Sequence, residues 1–76
     1  MNLSELNVEQ KAKILNLNVK NREIKRHLLD MGLTRGVEVL IKKKAPMGDP
    51  IDIELRDYEL CISKSDLAQI DVEVLK

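Results

Sequence analysis

The stretch from Leu28 to Pro50, Leu-Leu-Asp-Met-Gly-Leu-Thr-Arg-Gly-Val-Glu-Val-Leu-Ile-Lys-Lys-Lys-Ala-Pro-Met-Gly-Asp-Pro, constrains the fold more than any other part of the chain. It reads as a helix end, a turn, one long strand and a loop of restricted geometry. Apolar residues recur at helical spacing at Ile24, Leu28 and Met31 and then stop at Gly32. A glycine just past the last turn takes the left-handed conformation that closes a helix, and the following residue packs back one turn. This predicts Gly32 at positive φ with Leu33 resting on Leu28. Gly36 supplies a second tight turn, into Val37–Ile41, where Val37, Val39 and Ile41 share one strand face. In the loop Ala45–Pro50, φ is fixed at Pro46 and Pro50 while Gly48 is free to turn. Such a loop loses little entropy when it orders.

The rest of the chain follows the same two periods. Leu3-Ser-Glu-Leu reads as a short turn that lays Leu3 and Leu6 over one end of the core. Lys11–Val19 reads as the first strand, with Ile14 and Leu15 breaking alternation; a bulge or a doubly buried segment would explain the break. Asn21 is a good N-cap for a helix running to about Met31, with Glu23 near its positive end and Arg22, Lys25 and Arg26 projecting outward. Ile51–Leu55 alternates cleanly and is joined through Arg56-Asp57 to Tyr58–Ile62 as a hairpin. Ser63 or Ser65 caps a single helical turn, and Ile70, Val72 and Val74 share a face in a closing strand. The fold expected is mainly β: a small, partly open five-stranded barrel with one short helix between the first and second strands. Periodicity alone does not separate an SH3-like barrel from an OB-type one.

Seventy-six residues make one small domain, expected to span 1–76. Leu, Ile and Val supply nearly all the apolar side chains, with no Phe or Trp and one tyrosine, Tyr58. Thirteen basic and thirteen acidic residues cancel, so no global field draws the chain to nucleic acid or an anionic membrane. No apolar run is long enough to span a bilayer, and the first residues lack the pattern of a signal peptide. One cysteine cannot form an internal disulfide, which suits a reducing cytoplasm.

Met31-Gly-Leu-x-x-Gly-x-x-Val39 followed by Ala45-Pro-Met-Gly-Asp-Pro-Ile51 closely resembles the FeoA family, small cytosolic partners of the bacterial ferrous iron transporter. The resemblance runs from about Leu3 to Val74, and the loop is its most specific element. It implies an SH3-like barrel and a non-enzymatic role. The implied partner is the membrane iron permease with its GTPase domain, engaged on the cytoplasmic side without membrane insertion. Related modules occur at the carboxyl end of iron-dependent repressors, so the alternative is a regulatory module binding a peptide or a second copy of itself. Self-association is left open. Several positions depart from the family pattern: Val8-Glu9 stands where a Pro-Gly turn is usual, Arg35 where proline is common, and Asp57 where glycine is preferred. Aspartate tolerates a left-handed backbone better than most residues, so Asp57 is expected to carry that conformation. Lys64 stands where the family often has arginine.

Among residues that could carry chemistry, His27 reads as an exposed helical residue. Cys61 is out of phase with the apolar Leu60 and Ile62. A metal site needs several clustered ligands, and one His with one Cys falls short without carboxylates or a second subunit. No metal or cofactor is expected. Catalysis has no support either, since His27 and Cys61 lie on different elements with no orienting group between them. No phosphate-binding Gly-x-x-x-x-Gly-Lys motif is present. Lys42-Lys43-Lys44 reads as a solvated strand end or a protective edge. Nucleic-acid binding would need an aromatic platform that the chain lacks. A groove for proline-rich peptides needs several aromatics too. What remains is a protein-binding surface, either the loop Pro46, Met47, Gly48, Asp49 and Pro50 or the outer face of the helix through Ile24 and Arg26. Leu28, Gly32, Leu33 and Gly36 are expected to be structural. The loop is equally well read as a connection that its prolines and glycine merely shape.

Overall fold

In the computed structural model, which describes residues 1–75, five antiparallel strands form one sheet in the order β4-β3-β2-β1-β5. They are β1 (Lys11–Leu17), β2 (Glu38–Lys44), β3 (Ile51–Leu55), β4 (Tyr58–Ile62) and β5 (Ile70–Leu75). Helix α1 (Arg22–Asp30) joins β1 to β2, and the single turn α2 (Lys64–Leu67) joins β4 to β5. The first and last members, β4 and β5, do not pair with each other, so the barrel is partly open, as the sequence predicts. A 3-10 turn, Leu3–Glu5, is capped by Asn2, and Leu3 and Leu6 are fully buried as expected.

The core is aliphatic. Ile14, Ile41, Ile51, Ile53, Leu55, Leu67 and Ile70 have no more than a trace of exposed surface, and Val39 and Val72 join them. Each such burial is worth about 1.5–3 kcal/mol relative to exposure. The clean alternation of β3, with Ile51, Ile53 and Leu55 inward, is what fixes its register between β2 and β4.

The close of α1 follows the Schellman pattern. Leu33 N–H donates to Leu28 O and Gly32 N–H to Leu29 O, both at 3.0 Å, and Gly32 has φ +99°. Helical geometry ends at Asp30 with Met31 as the C-cap, which agrees with Gly32 at the position just past it. At the other end, the Asn21 side chain accepts from the N–H groups of Glu23 and Ile24.

Four local expectations are corrected, and one open alternative is decided. The first strand ends at Leu17, two residues short of Val19, because Asn18 N–H turns to Gln69 O; Val19 is still buried. The irregularity at Ile14-Leu15 is resolved as a bulge: the β1–β5 register shifts between Ile14 and Asn16, leaving Leu15 exposed. The second strand starts at Glu38, because Val37 still belongs to the turn, its N–H donating to Thr34 O at 3.2 Å. In the β3–β4 hairpin the left-handed residue is Arg56 (φ +55°), with Asp57 outside that region. The lysine run is no outer sheet edge, since β2 lies between β1 and β3, but it sits past the reach of β1, whose pairing with β2 stops at Leu40.

Candidate functional site

Helix α1 turns only part of its surface to the barrel. Leu28 is buried, and Ile24 and Met31 are half-buried against the core, while Arg22, Lys25 and Arg26 are exposed. This leaves a groove of about 290 Å³ between the helix and the end of β4. One wall is Glu23, Ile24, His27, Leu28 and Met31; the other is Cys61 and Ile62 with Ser63 and Asp66 at the start of α2. Ser63 caps α2 through a bond from Asp66 N–H, which sets Asp66 beside the groove. Met31 is held to the opposite side by the Tyr58 hydroxyl, which donates to its carbonyl. The floor is apolar and the volume sits at the lower bound for a small-molecule pocket, so it suits an inserted side chain better than a cofactor.

The Ala45–Pro50 loop reaches α2, whose Asp66 lines this groove. Ala45 N–H donates to Pro50 O at 3.0 Å and Gly48 N–H to Ala45 O at 2.7 Å, closing the loop on itself, with a cis Asp49–Pro50 bond. Gly48 has φ +83°. Met47 at the tip is 91% exposed. Asp49, itself exposed, is turned toward α2: its Oδ1 accepts from Lys64 N–H at 2.8 Å, in the first turn of that helix. Lys64 directly follows Ser63 of the groove wall, so loop and groove meet at α2.

The candidate residues therefore divide. Ile24 faces the groove while Arg26 is exposed away from it, so the two do not form one outer helix face. His27 and Cys61, placed on separate elements by the sequence, line the same groove. They do not make a nucleophilic pair. A hydrogen bond to the Asp52 carboxylate, then desolvation and the charges of Asp52 and Asp49, push the Cys61 thiol up, with Lys43 pulling the other way. A raised thiol stays protonated, the reverse of what a nucleophile needs. Among the described residues no three His, Cys, Asp or Glu side chains are grouped to hold a metal ion. No helix among them is long and apolar enough to cross a membrane.

Sequence reasoning missed two contributors. Tyr58 and Asp66 carry only strand and turn signals in the sequence, because no local pattern tells which distant helix a strand end will face. Away from the groove, Arg35 makes a contact that its sequence position does not show: its guanidinium donates to Leu15 O at 3.0 Å and Asn16 Oδ1 at 2.6 Å, across the bulge.

Residues 1–74 match the FeoA domain family. The chain is 32% identical, over 99% of its length, to the Fe(2+) transport protein A/Fe(2+) transporter FeoB fusion protein of Porphyromonas gingivalis, of which it spans only 9%. An FeoA-like protein from Clostridium acetobutylicum is 42% identical and superposes with a TM-score of 0.88, covering all of this chain and 87% of that one. FeoA of Stenotrophomonas maltophilia, solved with zinc and described as a prokaryotic SH3 domain protein, is 25% identical with a TM-score of 0.84, over 96% and 89% of the two chains. The barrel is thus SH3-like.

Proposed function

The chain belongs to the FeoA domain family, a non-catalytic accessory domain of ferrous iron transport, and we propose that it acts on the cytoplasmic side of the membrane, binding and modulating the GTPase iron permease through protein–protein contacts. The observation that carries this reading is the fusion relative, where an FeoA portion and an Fe(2+) transporter share one polypeptide. Fusion holds two modules at a high effective concentration, which matters when they act on each other. The surface supports contact over chemistry: a Cys61 thiol pushed up, an apolar groove and an exposed methionine on the loop that bonds to α2. Methionine adapts readily to a partner surface. Met47 supplies an apolar contact that loop closure has already ordered, so little entropy opposes docking.

The test is retention of the permease from detergent-solubilised membranes of the source cell on immobilised protein, with ferrous iron varied. Wild-type protein retains it, Met47→Asp retains less, and Lys42→Ala changes retention slightly and mainly at low salt. Equal retention by Met47→Asp, with loss in Ile24→Asp, would move docking from the loop to the groove. No retention by any form would overturn the reading.

A further inference from the structure

The two outer edges of the sheet are treated differently. Along β5 the chain's own first residues add to the edge: Val72 N–H donates to Met1 O at 3.0 Å, and Asn2 bridges Asp71. Along β4 nothing comparable happens. Among the described residues, the backbones of Glu59 and Cys61 make no hydrogen bond outside the sheet ladder. Their direction follows from register. A two-residue connection makes Leu55 and Tyr58 a hydrogen-bonded pair, and such pairs alternate along an antiparallel ladder. Leu60 and Ile62 therefore bond to β3, while the N–H and C=O groups of Glu59 and Cys61 point away from it. At Cys61 that open edge borders the groove whose far wall is α1.

The groove has a charge preference as well. Glu23 and Asp66 line it, no Lys or Arg does, and neither carboxylate has a basic partner within 4.0 Å among the described residues. Apolar floor, carboxylates at the sides and an unpaired strand edge together describe one kind of occupant.

We propose that the groove between β4 and α1 binds an extended, basic-flanked apolar segment of a partner protein by strand addition. The segment's backbone pairs with Glu59 and Cys61. One of its apolar side chains packs against Ile24, Leu28 and Ile62, and its Lys or Arg residues meet Glu23 and Asp66. This assignment stands whether or not the partner is the iron permease.

The experiment is titration of isotope-labelled protein with the blocked heptapeptide Lys-Thr-Val-Leu-Val-Thr-Arg, followed by amide shifts and hydrogen exchange. Exchange at Glu59 and Cys61 slows roughly tenfold or more, and alternate N-methylation of the peptide lowers affinity by about tenfold through lost main-chain bonds. Replacing the terminal Lys and Arg by Glu weakens binding about threefold or more, and Asp66→Asn weakens the basic peptide alone. Equal binding of the N-methylated peptide, shifts confined to the Met47 loop, or no binding at millimolar peptide would overturn the proposal. So would protection of Glu59 and Cys61 that depends on protein concentration without peptide, which seats a second copy there. Peptide binding without permease retention would remove the transport reading alone; the reverse result would remove the groove alone.

Discussion

The Tyr58 hydroxyl donates to the carbonyl of Met31, so the one aromatic residue of the chain ties the C-cap of α1 to strand β4. The bond spans the end of the groove and sets where the helix lies against the open sheet edge. It also fills the space above Gly32, where a Cβ would stand 2.5 Å from the Tyr58 oxygen. Two constraints meet at that glycine, a left-handed backbone and a neighbour with no room to spare.

Tyr58→Phe is therefore expected to lower stability by about 0.5–1.5 kcal/mol, the usual net worth of one hydrogen bond. Gly32→Val combines left-handed strain with a clash and should cost more than ~1 kcal/mol. Because the two positions touch, the double variant should fall short of the sum. Urea unfolding of the three variants measures all of this. An unchanged midpoint in Gly32→Val would remove the cap from the account of how α1 ends.

A second expectation concerns Arg35. Thr34–Val37 has the pattern of a type II turn, with Val37 N–H bonded to Thr34 O and Gly36 at φ +89° in the third position. Arg35 occupies the place proline favours, yet its guanidinium satisfies the Leu15 carbonyl freed by the β1 bulge. Arg35→Ala should cost about 0.5–1.5 kcal/mol despite the exposed position. Arg35→Pro loses the same bonds but restricts the unfolded chain, and should recover about 0.4–1 kcal/mol of that loss. Identical midpoints for the alanine and proline variants would refute the turn assignment.

The parts of this fold written in local pattern were readable in advance. Gly32 and Leu33 announced the Schellman close, Asn21 the helix start, and Ile51, Ile53 and Leu55 a strand buried on one face. What failed was decided by contacts between distant residues. Arg56, not Asp57, takes the left-handed position, although aspartate tolerates it better, and Glu9 does the same (φ +74°) in the turn closed by Gln10 N–H and Asn7 O. Hairpin register and the strands flanking these turns override side-chain preference there. The loop was legible as a motif, but Asp49's bond to Lys64, fifteen residues on, was not. The groove was invisible for the same reason: its walls come from α1, β4 and α2, and no single stretch contains all three.

Cys61 offers a test by reactivity. The Asp52 carboxylate opposite it on β3 raises its pKa first by hydrogen bonding and then by charge, and Lys43 lowers it. A raised thiol holds less thiolate at any given pH, so alkylation by iodoacetamide near neutral pH should be slower than for an ordinary exposed cysteine. Asp52→Asn should move the rate profile to lower pH and speed the reaction, whereas Lys43→Ala should move it to higher pH and slow it. Shifts of the same sign in both variants would rule out this electrostatic account.

The last expectation separates the two halves of the loop. Met47 touches solvent almost everywhere, so Met47→Asp should change stability by less than about 0.5 kcal/mol. Asp49 instead accepts from the first N–H of α2, a bond of the kind that caps a helix start. Asp49→Ala should then cost about 1 kcal/mol and speed hydrogen exchange at the Lys64 amide. Asp49→Asn keeps a side-chain oxygen in the same place and should lose less than the alanine variant does. The pattern matters for docking, because a loosened loop would present Met47 in many orientations and weaken partner binding without removing a contact. Exchange at Lys64 that ignores Asp49→Ala would detach Asp49 from α2 and return its carboxylate to the loop surface, free to meet a partner directly.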